Sequence, residues 1–412
     1  MEKDILTNLQ NPSQLEKLYR TDKITFKRSF DILYPEIQGQ VLADFWYERL
    51  HYAIPRTFPA RDVLFIIISA FVSGFALKLP SILSIPEEPF LLRNAALAMI
   101  VPLITYFTWM GKISYRRMLF LFVLILGCVI FINTFPGNPS NDIFLLVCLH
   151  FPILLWAIWG MAYMRFSIQN LDQRLSFLKF NGDLIILTAL IGMAGIILSA
   201  LTIGLFDVIG MDIGEFYAEN IAIVLLPAAP LLGAYLIQNN PGLVGKISPM
   251  IASICNPLVL TMLMVYLVTI IFTNHDIYHN REFLLIFNLL LVGVLALIYF
   301  TISGHSRISP RSTSVIILCL ISILTIAANA FALSAIGFRI WEWGITPNRM
   351  AVLGANIIIL INLVLVAIQL IRVLVFGVKM ETVGRTIGRY LPVYILWGMV
   401  VVVLFPLIFG IR

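Results

Sequence analysis

Long, continuous apolar segments constrain this chain more than any other feature. A helix needs about 20 mostly apolar residues to cross a bilayer. We find eleven such segments, at 62–79, 94–110, 118–134, 143–163, 184–206, 220–238, 249–272, 283–302, 314–336, 350–371 and 391–410. The runs are continuous rather than alternating, which argues against a transmembrane barrel of strands. The sequence therefore predicts an all-α, polytopic helical membrane protein with its transmembrane domain over residues 61–412.

The composition supports this class. Of the 412 residues, 60% are hydrophobic and 12% are charged, whereas soluble domains average about 45–50% apolar and about 25% charged residues. So few charges could not cover the surface of a soluble fold of this size. Soluble, disordered and collagen-like classes are therefore excluded.

The distribution of Lys and Arg predicts the orientation in the membrane. Nine of the 28 basic residues precede the first span, thirteen lie in later connections on the same side, and six lie on the other side. Because cytosolic loops are rich in Lys and Arg, we expect a cytosolic N-terminus and a C-terminus on the opposite side. The net charge of +6 is then a topological signal, so we expect membrane lipids and no nucleic acid as partners.

Residues 1–60 have a different, polar composition and predict a small cytosolic head of three amphipathic helices. Ser13 and Glu16 have the spacing of a capping box, Asp22 can cap the second helix, and Pro35 is expected to end it. Two interpretations remain open. The head is either an anchor in the membrane interface or a docking surface for a protein partner.

Sequence motifs offer no catalytic machinery. P-loop, HExxH, GxSxG and kinase patterns are missing from the sequence. The four cysteines lie in apolar runs without a CxxC pair, which disfavours a disulfide framework or a zinc site. We predict no catalytic, cofactor-binding or metal-binding residue, and an intramembrane enzyme lacks paired acids or a metal cluster.

Charged residues avoid the middle of every predicted span, and each can be placed in a loop or at a helix end. Coupled transporters usually carry carboxylates at membrane depth, so this pattern weighs against one. His150 is the one titratable side chain at depth. It is either a pore, proton or ligand contact, or a neutral histidine bonded to a neighbouring helix.

Proline interrupts two consecutive spans. Unwound segments near the midplane build substrate sites in transporters, although simple kinks are the alternative. In the tenth span two amides lie seven residues apart and share a face, where interhelical hydrogen bonds are the default. With the histidine, these residues form a candidate intramembrane polar site: His150, Pro227, Pro230, Asn256, Pro257, Asn362 and Gln369.

The connection before the tenth span concentrates charge and aromatic residues. Thr346, followed by Pro347, is a good N-cap. We expect Arg339 and Arg349 to face one another across this turn, with either Glu342 bridging them or an anionic ligand or lipid head group bound between them. The candidate contacts are Arg339, Glu342, Trp343 and Arg349.

The same segment resembles a motif, R-x3-[WY]-G-[LI]-T-x2-R, of a bacterial family of polytopic membrane proteins described as a domain of unknown function. Arg339, Trp343, Gly344-Ile345-Thr346 and Arg349 carry the motif. In the head, Leu18-Tyr19-Arg20 and Phe45-Trp46-x-x-Arg49-Leu50 resemble one branch of the family. The resemblance implies a multi-pass protein of the bacterial inner membrane and no activity, cofactor or catalytic residue.

Two hypotheses for the function follow. The first is a transporter, permease or lipid-handling protein, which many spans and the Arg–Trp segment favour. The second is a non-catalytic sensor, assembly factor or partner subunit that acts through its head, which the missing coupling machinery favours.

Overall fold

The computed structural model describes the backbone of residues 1–51, 60–272, 281–304 and 312–410, and there the chain is helical with no strand. The prediction of an all-α polytopic helical membrane protein is confirmed. The chain divides into two compact units, Met1–Val63 and Leu64–Arg412, and we call the second the membrane unit.

The first unit, which we call the head, contains four helices rather than the three predicted. Its apolar core centres on Phe26, Phe30 and Trp46, which are almost completely buried. Pro35 does not end the third helix, which continues for two more residues. The helices are α1 (Glu2–Thr7), α2 (Pro12–Thr21), α3 (Lys23–Ile37) and α4 (Val41–His51).

Eleven further helices coincide with the eleven predicted spans. Nine of them, in the described part of the chain, are long and apolar enough to cross a membrane; the other two are α11 and α12. The helices are α5 (Ala60–Leu83), α6 (Glu87–Met110), α7 (Tyr115–Thr134), α8 (Asp142–Tyr163), α9 (Leu171–Val208), α10 (Gly214–Asn239), α11 (Pro241–Phe272), α12 (Arg281–Gly304), α13 (Thr313–Trp343), α14 (Pro347–Phe376) and α15 (Glu381–Phe409).

Contacts near the helix ends are consistent with consecutive helices that alternate in direction. We call the end of the membrane unit where α5 begins the proximal end, and the opposite end the distal end. At the proximal end Arg117 donates to the carbonyl oxygen of Arg165 at 3.3 Å, and Arg174 donates to that of Gly388 at 3.0 Å. At the distal end Asn94 and Asn133 exchange hydrogen bonds of 2.9 Å between the start of α6 and the end of α7.

Two main apolar clusters form the core of the membrane unit. The first comes largely from α5–α10 and includes Phe144, and the second comes largely from α11–α15 and includes Leu363. A smaller cluster joins α8 to α14 and α15 through Leu146, Ala351 and Phe405. The candidate site residues therefore lie in separate parts of one packed unit.

Candidate functional site

The turn between α13 and α14 lies at the distal end and carries the predicted arginines. Gly344, with φ of +79°, follows the last residue of α13 and turns the chain in a conformation that glycine adopts without steric cost. The Thr346 hydroxyl accepts from the backbone N–H of Arg349 at 3.3 Å, and Pro347 takes the first helical position. The predicted N-cap is confirmed, and it fixes Arg349 in the first turn of α14.

Both predicted arginines converge on one aromatic ring. The guanidinium carbons of Arg339 and Arg349 each lie 5.6 Å from the centroid of Trp343, within the range of a cation–π interaction. Arg349 also donates from Nη1 to the carbonyl oxygens of Trp343 at 2.9 Å and Gly344 at 2.6 Å. Arg339 is only 9% exposed. We call Arg339, Trp343 and Arg349 the distal cluster.

Glu342 does not join the distal cluster. Its side chain is exposed, and within the described part of the chain it forms no ion pair with either arginine. Of the two arrangements considered for the arginines, a bridging carboxylate is thus not the one present.

His150 finds its partner within its own helix. Nδ1 donates to the carbonyl oxygen of Leu146 at 2.9 Å, so the imidazole needs no neighbouring helix to satisfy that nitrogen. Leu146 packs against α15, and Ile153 lies where a Cβ on Gly398 of α15 would meet it at 3.1 Å. Positions 146, 150 and 153 share one helix face, so His150 lies on the face of α8 that packs on α15.

Of the two interpretations of the proline-containing spans, unwound segments are not found, because both spans are continuous helices. α10 continues through Pro227 and Pro230, and α11 continues through Pro257. Transmembrane helices tolerate proline because local π-type adjustments re-satisfy the freed backbone groups. Continuous helices agree with the alternative interpretation, in which proline does no more than bend the helix.

The predicted amides are used in helix–helix contacts. Asn256 donates to the Thr301 hydroxyl at 3.2 Å and joins α11 to α12. Asn362, fully buried, donates to the hydroxyls of Tyr299 in α12 and Tyr394 in α15, the latter at 2.8 Å. The two tyrosine hydroxyls lie 3.2 Å apart. These contacts belong to the second apolar cluster, away from His150 and the prolines of α10.

Gln369 is half-buried and makes no hydrogen bond within the described part of the chain. The seven predicted polar residues thus do not converge on one site. They lie on α8, α10, α11 and α14. The hydrogen bonds of His150, Asn256 and Asn362 are contacts within a helix or between helices.

Sequence reasoning missed a carboxylate inside a helix. Asp183 is 6% exposed and lies well inside α9, which starts at Leu171. The expectation that every charge falls in a loop or at a helix end is therefore wrong. The reason is local: Asn170 caps α9 by accepting from the N–H groups of Asp172 at 3.0 Å and Gln173 at 3.3 Å, so the helix begins before the apolar run.

A cleft at the proximal end was also missed. It has a volume of about 440 Å³ and is formed by the ends of α6, α8 and α10, the turn after α8 and the first turns of α9. Because four helices contribute to the cleft, the spacing of its lining residues along the sequence could not reveal it. Its polar lining consists of Tyr163, Arg165, Ser167, Gln173, Ser176 and Gln238.

Metal-binding groups are not assembled in the part of the chain that the structure describes. No three His, Cys, Asp or Glu side chains come together there. The four cysteines are free thiols.

Comparison with known proteins returns no relative for this fold or for these sites. No protein-family model, no curated protein and no solved structure matches the chain. The fold defines a multi-pass helical membrane protein.

Proposed function

We propose that this membrane protein is a permease or lipid-handling protein that binds an anionic head group, or an anionic amphiphile, at the distal cluster. The observation that carries the proposal is the convergence of two guanidinium groups on the Trp343 ring while the adjacent carboxylate of Glu342 stays apart. Arg presents a planar array of donors that matches phosphate and carboxylate oxygens. Partial desolvation beside lipid and indole strengthens such a contact.

The surroundings of the distal cluster favour a membrane-surface ligand. Trp341 is 91% exposed, as expected of an aromatic residue at the level of the lipid head groups. The N-terminus of α14 contributes a partial positive charge. Arg349 uses Nη1 for the end of α13, whereas its other two nitrogens make no hydrogen bond within the described part of the chain, so they are available to an anion.

For the membrane and the orientation we propose the bacterial inner membrane, with the proximal end in the cytosol and the distal end outside. The supports are the excess of Lys and Arg in the proximal connections and the resemblance of the distal turn to the bacterial family. The head then lies in the cytosol and the distal cluster faces the outer leaflet.

The test measures the binding of phosphatidylglycerol to the full-length protein in dodecyl maltoside by native mass spectrometry. Charged hydrogen bonds contribute about 1.5–3 kcal/mol, so Arg349→Ala should weaken the site about tenfold or more. Arg372→Ala is the matched control, because Arg372 is an exposed cation at the other end of the same helix and should bind as the wild type does.

Unchanged phosphatidylglycerol binding by Arg349→Ala, together with a lower melting temperature, would make the distal cluster a structural contact and contradict the proposal. A second candidate, a sensor, assembly factor or partner subunit acting through the head, would then explain the chain better. One observation favours it: Met1–Val63 form a compact unit with their own apolar core.

A further inference from the structure

The proximal cleft contains a single charged side chain, and that side chain is cationic. Arg165 is the only charged residue among its lining residues, and within the described part of the chain its guanidinium forms no ion pair. We propose that the cleft is a second binding site, for a phosphate-bearing ligand, with Arg165 as the cation that recognises the phosphate. The site is distinct from the distal cluster and lies at the opposite end of the membrane unit.

The backbone that presents Arg165 is strained. Arg165 and Phe166 have φ of +49° and +66°, a region that non-glycine residues rarely adopt. The N–H of Arg165 donates to Ala162 O at 3.1 Å and that of Phe166 to Met161 O at 2.9 Å. This is the hydrogen-bond pattern of a Schellman motif, in which Arg165 takes the position usually held by glycine. Such strain persists where surrounding structure maintains it, and it is concentrated at functional sites.

Neighbouring side chains hold this turn in place. Arg117 donates to the carbonyl oxygen of Arg165 at 3.3 Å, and its guanidinium carbon lies 5.4 Å from the centroid of the Phe166 ring. Arg165 Nε lies 3.6 Å from the point where a Cβ on Gly111 would stand, so its stem crosses the end of α6. The guanidinium is thereby positioned over the cleft.

The remaining polar lining offers further hydrogen-bond groups beside Arg165. Within the described part of the chain the side chains of Ser167, Gln173 and Gln238 make no hydrogen bonds, and they line the cleft beside Arg165. The Tyr163 and Ser176 hydroxyls lie 3.1 Å apart and join α8 to α9. Guanidinium, hydroxyl and amide donors together are typical of phosphate recognition.

Apolar side chains complete the lining of the cleft. Phe107, Met110 and Met164 line the same cleft and can cover the apolar part of an amphiphile. Two sources of the phosphate group fit this lining, a lipid head group and a free phosphate-bearing solute. Each makes the same contacts with Arg165, so the experiment has to separate them.

The experiment measures binding to the full-length protein in dodecyl maltoside, a detergent without phosphate, by isothermal titration calorimetry. The probes are inorganic phosphate and dioctanoyl phosphatidic acid, with dioctanoylglycerol as the probe that lacks phosphate. We expect Arg165→Gly to bind at least tenfold more weakly and Arg165→Lys to retain part of the affinity. Glycine relieves the backbone strain, so Arg165→Gly should melt at or above the wild-type temperature, which separates lost binding from lost folding.

Arg116→Ala is the matched control, because Arg116 is an exposed cation in the first turn of α7 and does not line the cleft. The Arg116→Ala variant should bind both probes as the wild type does. Saturable binding of phosphate that competes with phosphatidic acid identifies a free solute, and binding of phosphatidic acid alone identifies a lipid head group. The proposal is overturned if neither inorganic phosphate nor phosphatidic acid shows saturable binding. It is also overturned if dioctanoylglycerol binds as tightly as phosphatidic acid, or if Arg165→Gly binds the probes as the wild type does. Arg349→Ala should remove only the component of phosphatidic acid binding that belongs to the distal cluster and should leave the component that depends on Arg165, so either site can fail without the other.

Discussion

At the scale of single residues, sequence patterns such as helix caps predict a contact only where the two partners are close in the sequence. The cap of α14 by Thr346 is confirmed because it needs only three residues of spacing. The capping box predicted at Ser13 is wrong, because Asn11 caps α2. Glu16 instead accepts from Arg20 at 2.7 Å and forms an ion pair of 2.9 Å with Arg49. Arg49 comes from another helix of the head, which no local pattern can indicate.

Glu16 gives the head a pH dependence whose sign follows from these contacts. The hydrogen bond from Arg20, and after it the positive charge of Arg49, lower the pKa of Glu16 below its ordinary value of 4.5. A carboxyl with a lower pKa in the folded state stabilises that state above the ordinary pKa, and this contribution is lost as the pH falls through the lowered value. Glu16→Gln should therefore reduce hydrogen-exchange protection of residues 12–51 at pH 6.

As the pH falls through the lowered pKa of Glu16, the carboxyl becomes protonated in the folded state as well as in the unfolded state. The variant and the wild type should then converge, once exchange is corrected for its intrinsic rate. Glu48→Gln serves as the control, because Glu48 is exposed on α4 and makes no ion pair within the described part of the chain. Equal protection of the wild type and Glu16→Gln at pH 6 would show that the ion pairs of Glu16 contribute nothing to the head.

At the scale of elements, hydropathy located the membrane helices well, but it placed their ends and breaks less well. α9 starts before its apolar run because a cap and a polar helical stretch precede it. Proline does not stop α10 or α15, and each has a π-helical turn just upstream of a proline: Ala218–Ala222 before Pro227 and Val400–Leu404 before Pro406. Such turns absorb the backbone change that proline imposes, and composition alone does not reveal them.

Close packing of α14 on α15 depends on one glycine. A Cβ on Gly354 would overlap the indole ring of Trp397, so Gly354→Ala should shift that ring and destabilise the protein by about 1–3 kcal/mol, the usual cost of overpacking. The measurement is the change in unfolding free energy in detergent.

Gly337→Ala in α13 is the matched control, since an added Cβ there meets nothing within 4 Å. Alanine favours a helix by up to about 1 kcal/mol over glycine, so this variant should be neutral or stabilising. The packing argument fails if both substitutions have the same effect.

At the scale of the whole molecule, the alternating direction of the helices was predictable and the proximal cleft was not. Helix number and direction follow from apolar runs and short connections. Residues of the distal cluster are close in sequence, so their proximity could be predicted from the chain. The proximal cleft depends on four helices meeting at one level, and packing of that kind leaves no periodic signal.

The odd number of membrane helices places the start of α5 and the end of α15 at opposite ends of the unit. With the proposed cytosolic head, alkaline phosphatase fused after Arg412 should be active and a green fluorescent protein fused there should be dark. Fusion after Gly111, in the proximal connection that follows α6, should give the reverse pattern. Fluorescence from the fusion at Arg412 would contradict the predicted number of spans.

The length of α9 has a thermodynamic consequence for the proximal cleft. Its 38 residues extend for about 57 Å at 1.5 Å per residue, whereas the hydrocarbon core is about 30 Å thick. The polar first turns that carry Gln173 and Ser176 are therefore a continuous extension of a membrane helix rather than a loop. A wall of this kind loses little conformational entropy when a ligand binds, so most of the interaction energy is retained as affinity.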